Sequence, residues 1–205
     1  MTTLSIAQRL DPSRACLAVV DMQNDFCDAR GAIHLAYKLD ISASAELLPR
    51  LCRLIDAAHA AHVPVVFTRM VNDTTTESPA FKGRRLVADG PQVCRTGSWG
   101  AELWKVEPGP HDLIVDKHRH SAFHATDLDL RLRSLGVESL VLTGVNTNVC
   151  VEATARDACA LDYWTLVVAD ATGAYTPEEH RSGLHNMGTY FGQVIDASQV
   201  LDTWR

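Results

Sequence analysis

The stretch Thr143-Gly-Val-Asn-Thr-Asn-Val-Cys-Val-Glu-Ala-Thr154 decides how this chain folds, because it joins two segments of different periodicity. The residues that lead into it, 139–143, are mostly apolar, as in a buried strand. Beyond it, apolar residues recur at helical spacing, and Gly144 permits a tight turn between strand and helix. Cys150 is therefore expected in the first turn of a helix, where unpaired N–H groups and the helix dipole favour a thiolate.

A cysteine in this position has two possible roles. It is either a nucleophile with a lowered pKa or a small apolar residue of the core, where most free cysteines lie. The position alone leaves both interpretations open, and the rest of the chain has to decide between them.

The composition is typical of one soluble, cytoplasmic domain. With 205 residues the chain is long enough for one core, and we expect a single domain over 1–205. The net charge of −6 and the lack of a basic run argue against a nucleic-acid surface. No apolar run approaches the roughly 20 residues that span a bilayer, and the N-terminus lacks the order of a signal peptide. The six cysteines form no C-x-x-C pair, which is typical of reduced cytoplasmic proteins.

Short apolar runs alternate with segments of helical periodicity along the whole chain. We expect strands near 15–20, 63–68, 112–116, 138–143, 164–168 and 193–195. We expect helices near 49–61, 126–135, 150–162 and 176–190, with Pro49 in a first turn and a capping box over Thr176–Glu179. This alternation predicts a three-layer, doubly wound α/β fold with a central, mostly parallel six-stranded sheet.

Three chemically active residues follow strands of this sheet. Asp21 ends the first strand, Lys117 ends the third, and Cys150 follows the fourth. Right-handed crossovers place the carboxyl ends of parallel strands on one rim, where ligand crevices form. We therefore expect these three residues to meet at one site, although they are far apart in the sequence.

Such a site has the parts needed for acyl transfer from an amide to water. The thiolate of Cys150 attacks a carbonyl, and Asp21 accepts the thiol proton and returns it to the leaving amine. Lys117 stabilises the charges, and the backbone N–H groups of Asn146 and Cys150 form an oxyanion hole. The intermediate of this reaction is a thioester.

The long stretch 70–111 is irregular and rich in glycine and proline, as in functional loops. Within it, Trp99 either closes over a ligand or packs on the surface. The nearby histidines 118, 120 and 124 lack the usual zinc spacing, so we expect neither a metal nor another cofactor.

Three motifs in this chain resemble those of the isochorismatase-like cysteine hydrolases, and the likeness runs from about residue 14 to the end. The motifs are Asp21-Met-Gln-Asn-Asp-Phe26, Lys117-His-Arg-His-Ser-Ala-Phe123 and Gly144-Val-Asn-Thr-Asn-Val-Cys-Val-Glu-Ala-Thr-Ala-Arg-Asp-Ala158. The family includes nicotinamidases, N-carbamoylsarcosine amidases, ureidoacrylate and biuret amidohydrolases, and isochorismatase itself.

The resemblance implies that Asp21, Lys117 and Cys150 occupy the catalytic positions. It also implies a non-proline cis peptide between Val145 and Asn146, whose N–H turns toward the oxyanion. The family fold is a parallel sheet flanked by helices, usually in a dimer or a tetramer. We therefore expect a homo-oligomer.

The resemblance also favours one branch of the family. Isochorismatase cleaves a vinyl ether without a cysteine nucleophile, so Cys150 argues against it. Nicotinamidases carry an Asp-x-His…His metal group after the second strand, and residues 67–79 contain no histidine here. We expect hydrolysis of a small linear amide, ureido or carbamoyl compound, with release of ammonia or a carbamate. A nicotinamidase and a non-catalytic binding protein remain alternatives, and a cysteine that is alkylated below pH 7 would indicate an enzyme.

Seven residues are candidates for contact with the substrate: Gln23, Phe26, Trp99, Arg119, Phe123, Asn146 and Tyr175. The aromatic candidates either line the pocket or belong to the core, since small-molecule sites are mostly apolar. Arg119 and His120 either bind a substrate carboxylate, since arginine suits planar anions, or are solvated surface groups next to a strand end. Asn146 replaces the small residue that is common at its position, and its amide either reaches the substrate or braces the turn.

Overall fold

Within residues 4–83 and 91–205, the ranges that the structure describes, six strands form one sheet. The structure is a computed structural model. The strands are β1 (Ala15–Val20), β2 (Val65–Met70), β3 (Leu113–Lys117), β4 (Ser139–Val145), β5 (Trp164–Gly173) and β6 (Gln193–Ile195). They lie in the order β3-β2-β1-β4-β5-β6, and every neighbouring pair is parallel. The predicted α/β fold is confirmed, with a sheet that is wholly parallel.

Helices connect these strands. The α-helices are α1 (Ile6–Arg9), α2 (Asn24–Cys27), α3 (Ala32–Tyr37), α4 (Ser42–Ala60), α5 (Pro79–Lys82), α6 (Leu128–Ser134), α7 (Glu152–Ala160), α8 (Pro177–Asn186) and α9 (Ala197–Thr203). A 3-10 turn covers Trp99–Ala101, and π-helical turns cover Thr147–Val151 and Met187–Phe191. The capping box at the start of α8 is confirmed. None of these helices has both the length and the apolar character needed to cross a membrane.

The side chains of β1 alternate between two cores, one on each face of the sheet, and all of them are buried. Leu17 and Val19 belong to the core under α4 and α9, whereas Ala18 and Val20 belong to the core under α6 and α7. Because both faces are covered, the strand reads in the sequence as one continuous apolar run.

The order of the strands determines where a site can form. β1 and β4 are neighbours, although β2 and β3 lie between them in the sequence, so the direction of winding reverses between these two strands. In open parallel sheets, ligands bind beyond the carboxyl ends of the strands at this point. Asp21 directly follows β1, and the π-helical turn that contains Cys150 follows β4 after one residue.

Two local predictions are wrong. Pro49 lies in the interior of α4, which begins at Ser42. Pro49 and Ala45 are both exposed, so water can satisfy the Ala45 carbonyl that the proline leaves without a helical partner. Gly144 lies within β4 and makes no tight turn; a Cβ there would be 2.1 Å from the carbonyl oxygen of Val20, and its φ is 95°. The glycine therefore permits close packing of β4 on β1.

The stretch 70–111 is irregular, as predicted, wherever the structure describes it. It contains α5 and the 3-10 turn, and isolated bridges pair Asn72 with Arg95 and Gln23 with Leu103. Residues 84–90 of this stretch lie outside the described residues.

Candidate active site

Asp21 and Lys117 form a buried ion pair at the rim of the sheet. The Oδ2 atom of Asp21 lies 2.7 Å from the Nζ atom of Lys117, and neither side chain is exposed to solvent. Thr68, on β2, donates a hydrogen bond of 2.7 Å from its Oγ1 atom to Oδ1 of Asp21. One carboxylate oxygen is thus held by a hydroxyl group, and the other faces the ammonium group.

The ammonium group of Lys117 is also held by the loop that follows β3. Its Nζ atom donates to the carbonyl oxygens of Arg119, at 3.0 Å, and His120, at 2.9 Å. Burial by itself lowers the pKa of Lys117, but the negative charges of Asp21 and Cys150 outweigh it, so the pKa is raised. Lys117 therefore remains protonated.

Cys150 completes the cluster. Its side chain is buried, and its sulfur lies within hydrogen-bonding reach of both the Asp21 carboxylate and the Lys117 ammonium group. The Nδ1 atom of His120 lies 3.7 Å from the sulfur. The three residues that end distant strands therefore meet at one site, as the topology predicts.

The resting state of Cys150 differs from the one predicted. Burial raises the pKa of the thiol to about 12; Lys117 opposes this shift and Asp21 adds to it. The residue also lies in the π-helical turn before α7 begins, and not in the first turn of a regular helix. Burial therefore favours the thiol over the thiolate, whereas the helix-start argument favours the thiolate.

Contacts on two sides hold the turn around Cys150. The Val145–Asn146 peptide is cis, as the resemblance implies. The hydroxyl of Thr147 lies 2.8 Å from Nδ1 of His180 on α8. On the other side, the hydroxyl of Thr154 donates to the carbonyl of Cys150 at 2.7 Å and accepts from the N–H of Ala122 at 3.1 Å. The turn is thus tied both to α8 and to the loop after Lys117.

Two of the predicted substrate contacts lie close to this cluster. The Asn146 side chain is buried and hydrogen bonds with the hydroxyl group of Tyr175. Burial raises the pKa of Tyr175, while its hydrogen bond with Asn146 acts in the opposite direction. Phe26 packs against both cores and is partly buried. Contact of these three residues with a substrate stays a prediction.

Gln23 has a structural role that the prediction missed. Both donors of its side-chain amide are used, by the carbonyl of Met70 at 2.9 Å and by that of Ala101 at 2.8 Å. Its Oε1 atom accepts from the N–H of Met70 at 2.7 Å. The residue joins the end of β2 to the 3-10 turn, and no amide donor is left for a substrate.

The other three residues predicted to contact the substrate also interact with groups of the protein itself. The ring of Phe123 lies 5.7 Å from that of Tyr163, which precedes β5 and so lies at the opposite end of the sheet. Trp99 is partly exposed, under the guanidinium group of Arg30. Arg119 stacks on Phe81 and donates to the carbonyls of Thr76 and His118. These contacts favour packing and bracing roles over substrate binding.

Sequence reasoning missed Asp25, which organises the loop over the site. Its buried carboxylate accepts from the N–H of Cys94 at 2.6 Å and from that of Ala32 at 3.0 Å. A Cβ on Gly100 would lie 2.1 Å from the same carboxylate. Asp25 stands in the first motif, but its partner Cys94 lies 69 residues away, and no local pattern indicates the contact.

Among the described residues, no three side chains of histidine, cysteine, aspartate or glutamate are grouped so that they could hold a metal ion. The site therefore consists of a thiol, a carboxylate and an ammonium group in a buried cluster.

Comparison with known proteins places this cluster in a family. The model of the isochorismatase domain matches residues 15–199. The chain belongs to the isochorismatase family. Ureidoacrylate amidohydrolases from Methylobacterium radiotolerans and Serratia proteamaculans are 37% and 36% identical to it. The first match covers 92% of this chain and 79% of the relative, and the second covers 94% and 83%.

A solved structure agrees with this assignment. A cysteine hydrolase from Pseudomonas syringae pv. phaseolicola superposes with a TM-score of 0.85 at 28% identity, covering 100% of this chain and 98% of that structure. The chain is thus an enzyme, a cysteine hydrolase of the amidohydrolase type. The resemblance seen in its three motifs is confirmed.

Proposed function

We propose that this isochorismatase-family enzyme hydrolyses a small linear ureido or carbamoyl compound, with Cys150 as nucleophile, Asp21 as base and Lys117 as electrostatic partner. The observation that carries the proposal is the 2.7 Å ion pair of Asp21 and Lys117, wholly buried, with the Cys150 sulfur in reach of both groups. Burying two charges is costly, and such clusters are concentrated at sites that use them.

The reaction begins with a proton transfer, because burial disfavours the thiolate form of Cys150 before a substrate is attacked. The thiol proton moves to Asp21 as the sulfur attacks the substrate carbonyl, and the N–H groups of Asn146 and Cys150 stabilise the oxyanion. The tetrahedral intermediate collapses, and Asp21 returns the proton to the leaving nitrogen. A thioester remains, and water activated by Asp21 hydrolyses it to restore the thiol.

The substrate class follows from the relatives and from the sequence. The ureidoacrylate amidohydrolases act on a ureido compound, as their name says, and they match nearly the whole chain. Hydrolysis at the ureido carbon gives an amine and a carbamate, which decomposes to ammonia and carbon dioxide. The absence of histidine from residues 67–79 disfavours the nicotinamidase alternative, whose metal group requires it.

A screen for ammonia release tests this proposal. The purified protein is incubated with ureido acids, biuret, simple carboxamides and nicotinamide, with the Cys150→Ala protein as blank. We expect turnover of at least one ureido or carbamoyl compound, none in the blank, and an unchanged fold by circular dichroism. Cys159→Ala is the matched control, since this half-buried thiol lies on α7 outside the site and should be dispensable.

Two results would contradict the proposal. Full turnover by Cys150→Ala would exclude the cysteine as nucleophile. Turnover of nicotinamide alone, with no activity on the ureido series, would favour the nicotinamidase alternative.

A further inference from the structure

The thiolate that forms during the reaction needs hydrogen-bond donors, and those of Lys117 are shared among several acceptors. A lysine ammonium group has three N–H donors. Here Asp21, at 2.7 Å, and the carbonyls of Arg119 and His120 occupy three positions around Nζ. The Cys150 sulfur also lies in hydrogen-bonding reach of this ammonium group, so four acceptors compete for its three N–H donors, and a thiolate would gain from a further donor.

His120 brings a nitrogen to the same sulfur. Its Nδ1 atom lies 3.7 Å from Sγ, within the range of a hydrogen bond to sulfur. Asp21 and Lys117 are groups of opposite charge beside this sulfur. An imidazole N–H in this position can donate to a thiolate whether the ring is neutral or protonated.

The imidazole is held in place from three sides. The His120 carbonyl accepts from Lys117, so the backbone at this position cannot turn away without breaking that bond. The ring of Phe81 lies 6.4 Å from the imidazole ring, centre to centre. Thr154 bridges the carbonyl of Cys150 and the N–H of Ala122, which fixes the spacing between the cysteine turn and the loop of His120. These contacts keep the His120 imidazole beside the Cys150 sulfur.

We infer that His120 is a fourth catalytic residue, whose Nδ1–H donates a hydrogen bond to the Cys150 sulfur and stabilises the thiolate. The inference rests on the proposed function, because it assigns a role in the same reaction. The S–H bond breaks, the proton passes to Asp21, and the imidazole keeps its own proton throughout. His120 must therefore be the tautomer, or the cation, that carries hydrogen on Nδ1.

The test measures the reactivity of the sulfur without a substrate. Cys150 is alkylated with iodoacetamide between pH 6 and pH 10 in wild type, His120→Leu and His120→Asn, and the modified peptide is quantified by mass spectrometry. Leucine has a similar bulk to histidine and no donor. Asparagine carries an amide N–H as many bonds from the backbone as Nδ1. The half-buried Cys159 serves as reference thiol in every sample.

We expect His120→Leu to slow alkylation of Cys150 on the order of ten-fold at a given pH, since a hydrogen bond to a charged group is lost. Its rate profile should shift to higher pH by about one unit. His120→Asn should remain within about three-fold of wild type, and Cys159 should react alike in all three proteins. If turnover is found, kcat should be highest in wild type, lower in His120→Asn and lowest in His120→Leu, with KM little changed.

Two outcomes would overturn the inference. Equal rates in wild type and His120→Leu would show that the imidazole does not stabilise the thiolate. Equal slowing in Leu and Asn variants, with loss of an ionisation near pH 6.5 from the wild-type profile, would make His120 a base instead of a donor. Wild type that turns over none of the screened compounds, yet shows the expected order of alkylation, would refute the proposed function and support the role of His120.

Discussion

The two halves of the site are held in place by different means. Asp21 directly follows β1, Lys117 is the last residue of β3, and the turn of Cys150 follows β4 after one residue, so the ladder of the parallel sheet sets their positions. The loop over them is held by side chains that bond to distant backbone groups: Gln23 to Met70 and Ala101, and Asp25 to Cys94. The first kind of order depends on topology, and the second on individual hydrogen bonds.

The difference shows what a single sequence can predict about a site. A residue at the end of a strand has a position as soon as the strand order is known, whatever its side chain does. A loop residue has no such reference, because its partners lie 47 to 78 residues away in the chain for Gln23 and 69 for Asp25. Mutation of a hydrogen bond in the loop should therefore leave the residues at the strand ends in place. The loop itself should lose its conformation.

The largest effect is expected from Asp21→Asn, which changes the part of the site that is positioned by the ends of strands. The amide has the same shape but cannot accept the thiol proton, so kcat should fall on the order of 10³-fold. Lys117 is left buried without its counter-ion, which should lower the free energy of unfolding by about 3–5 kcal/mol. Ammonia release and urea denaturation measure the two effects.

The matched control for this variant is Asp112→Asn. The side chain of Asp112 is also largely buried, and it forms an ion pair with His59 before β3 begins, at the opposite end of the sheet. This variant should lose stability and keep kcat. Wild-type turnover in Asp21→Asn, with Asp112→Asn unchanged, would remove Asp21 from the mechanism.

Most of the fold and part of the site could be predicted from the sequence. The apolar runs that became β1 and β4 are buried on both faces, so their pattern has one reading, and the residues after them were placed correctly. Aromatic rings carry no such signal: Phe123 and Trp99 are equally suited to a pocket and to a surface or core contact. The effect of burial on the pKa of Cys150 was also missed, since burial depends on the whole fold and the helix-start argument considers only the local turn.

A smaller effect is expected from Gln23→Leu, which changes the part of the site that is held by hydrogen bonds in the loop. This change removes three hydrogen bonds and leaves the N–H and carbonyl of Met70 and the carbonyl of Ala101 unpaired. The free energy of unfolding should fall by about 3 kcal/mol, since unsatisfied buried groups cost about 1–3 kcal/mol each and leucine recovers part of this by packing. The measurement is urea denaturation, with KM determined on the same preparation.

The KM value decides between the two roles of Gln23. A structural residue should change stability and leave KM nearly unchanged below the unfolding transition. If Gln23 binds the substrate, Gln23→Leu should raise KM and leave the free energy of unfolding unchanged. That result would support the prediction made from the sequence.

The smallest effect concerns pH and the contact between α8 and the cysteine turn. Burial, with help from Arg181, lowers the pKa of His180, whose Nδ1 atom lies 2.8 Å from the hydroxyl of Thr147. The unfolded chain therefore binds the proton first as the pH falls below about 6.5, and stability decreases until the lower, folded pKa is passed. Above pH 6.5 this contribution is complete.

His180→Asn removes the titration and keeps a polar group near Thr147, so it should lose less stability than wild type between pH 7 and pH 5. The difference should stay below about 1 kcal/mol, because the imidazole is only partly buried and solvent screens its charge. His185→Asn, an exposed histidine on the same helix, is the control and should follow wild type. Parallel stability curves for wild type and His180→Asn would show that α8 holds the turn by packing alone. Gly183, whose Cβ would lie 2.9 Å from Cα of Asn148, would then be the contact that matters.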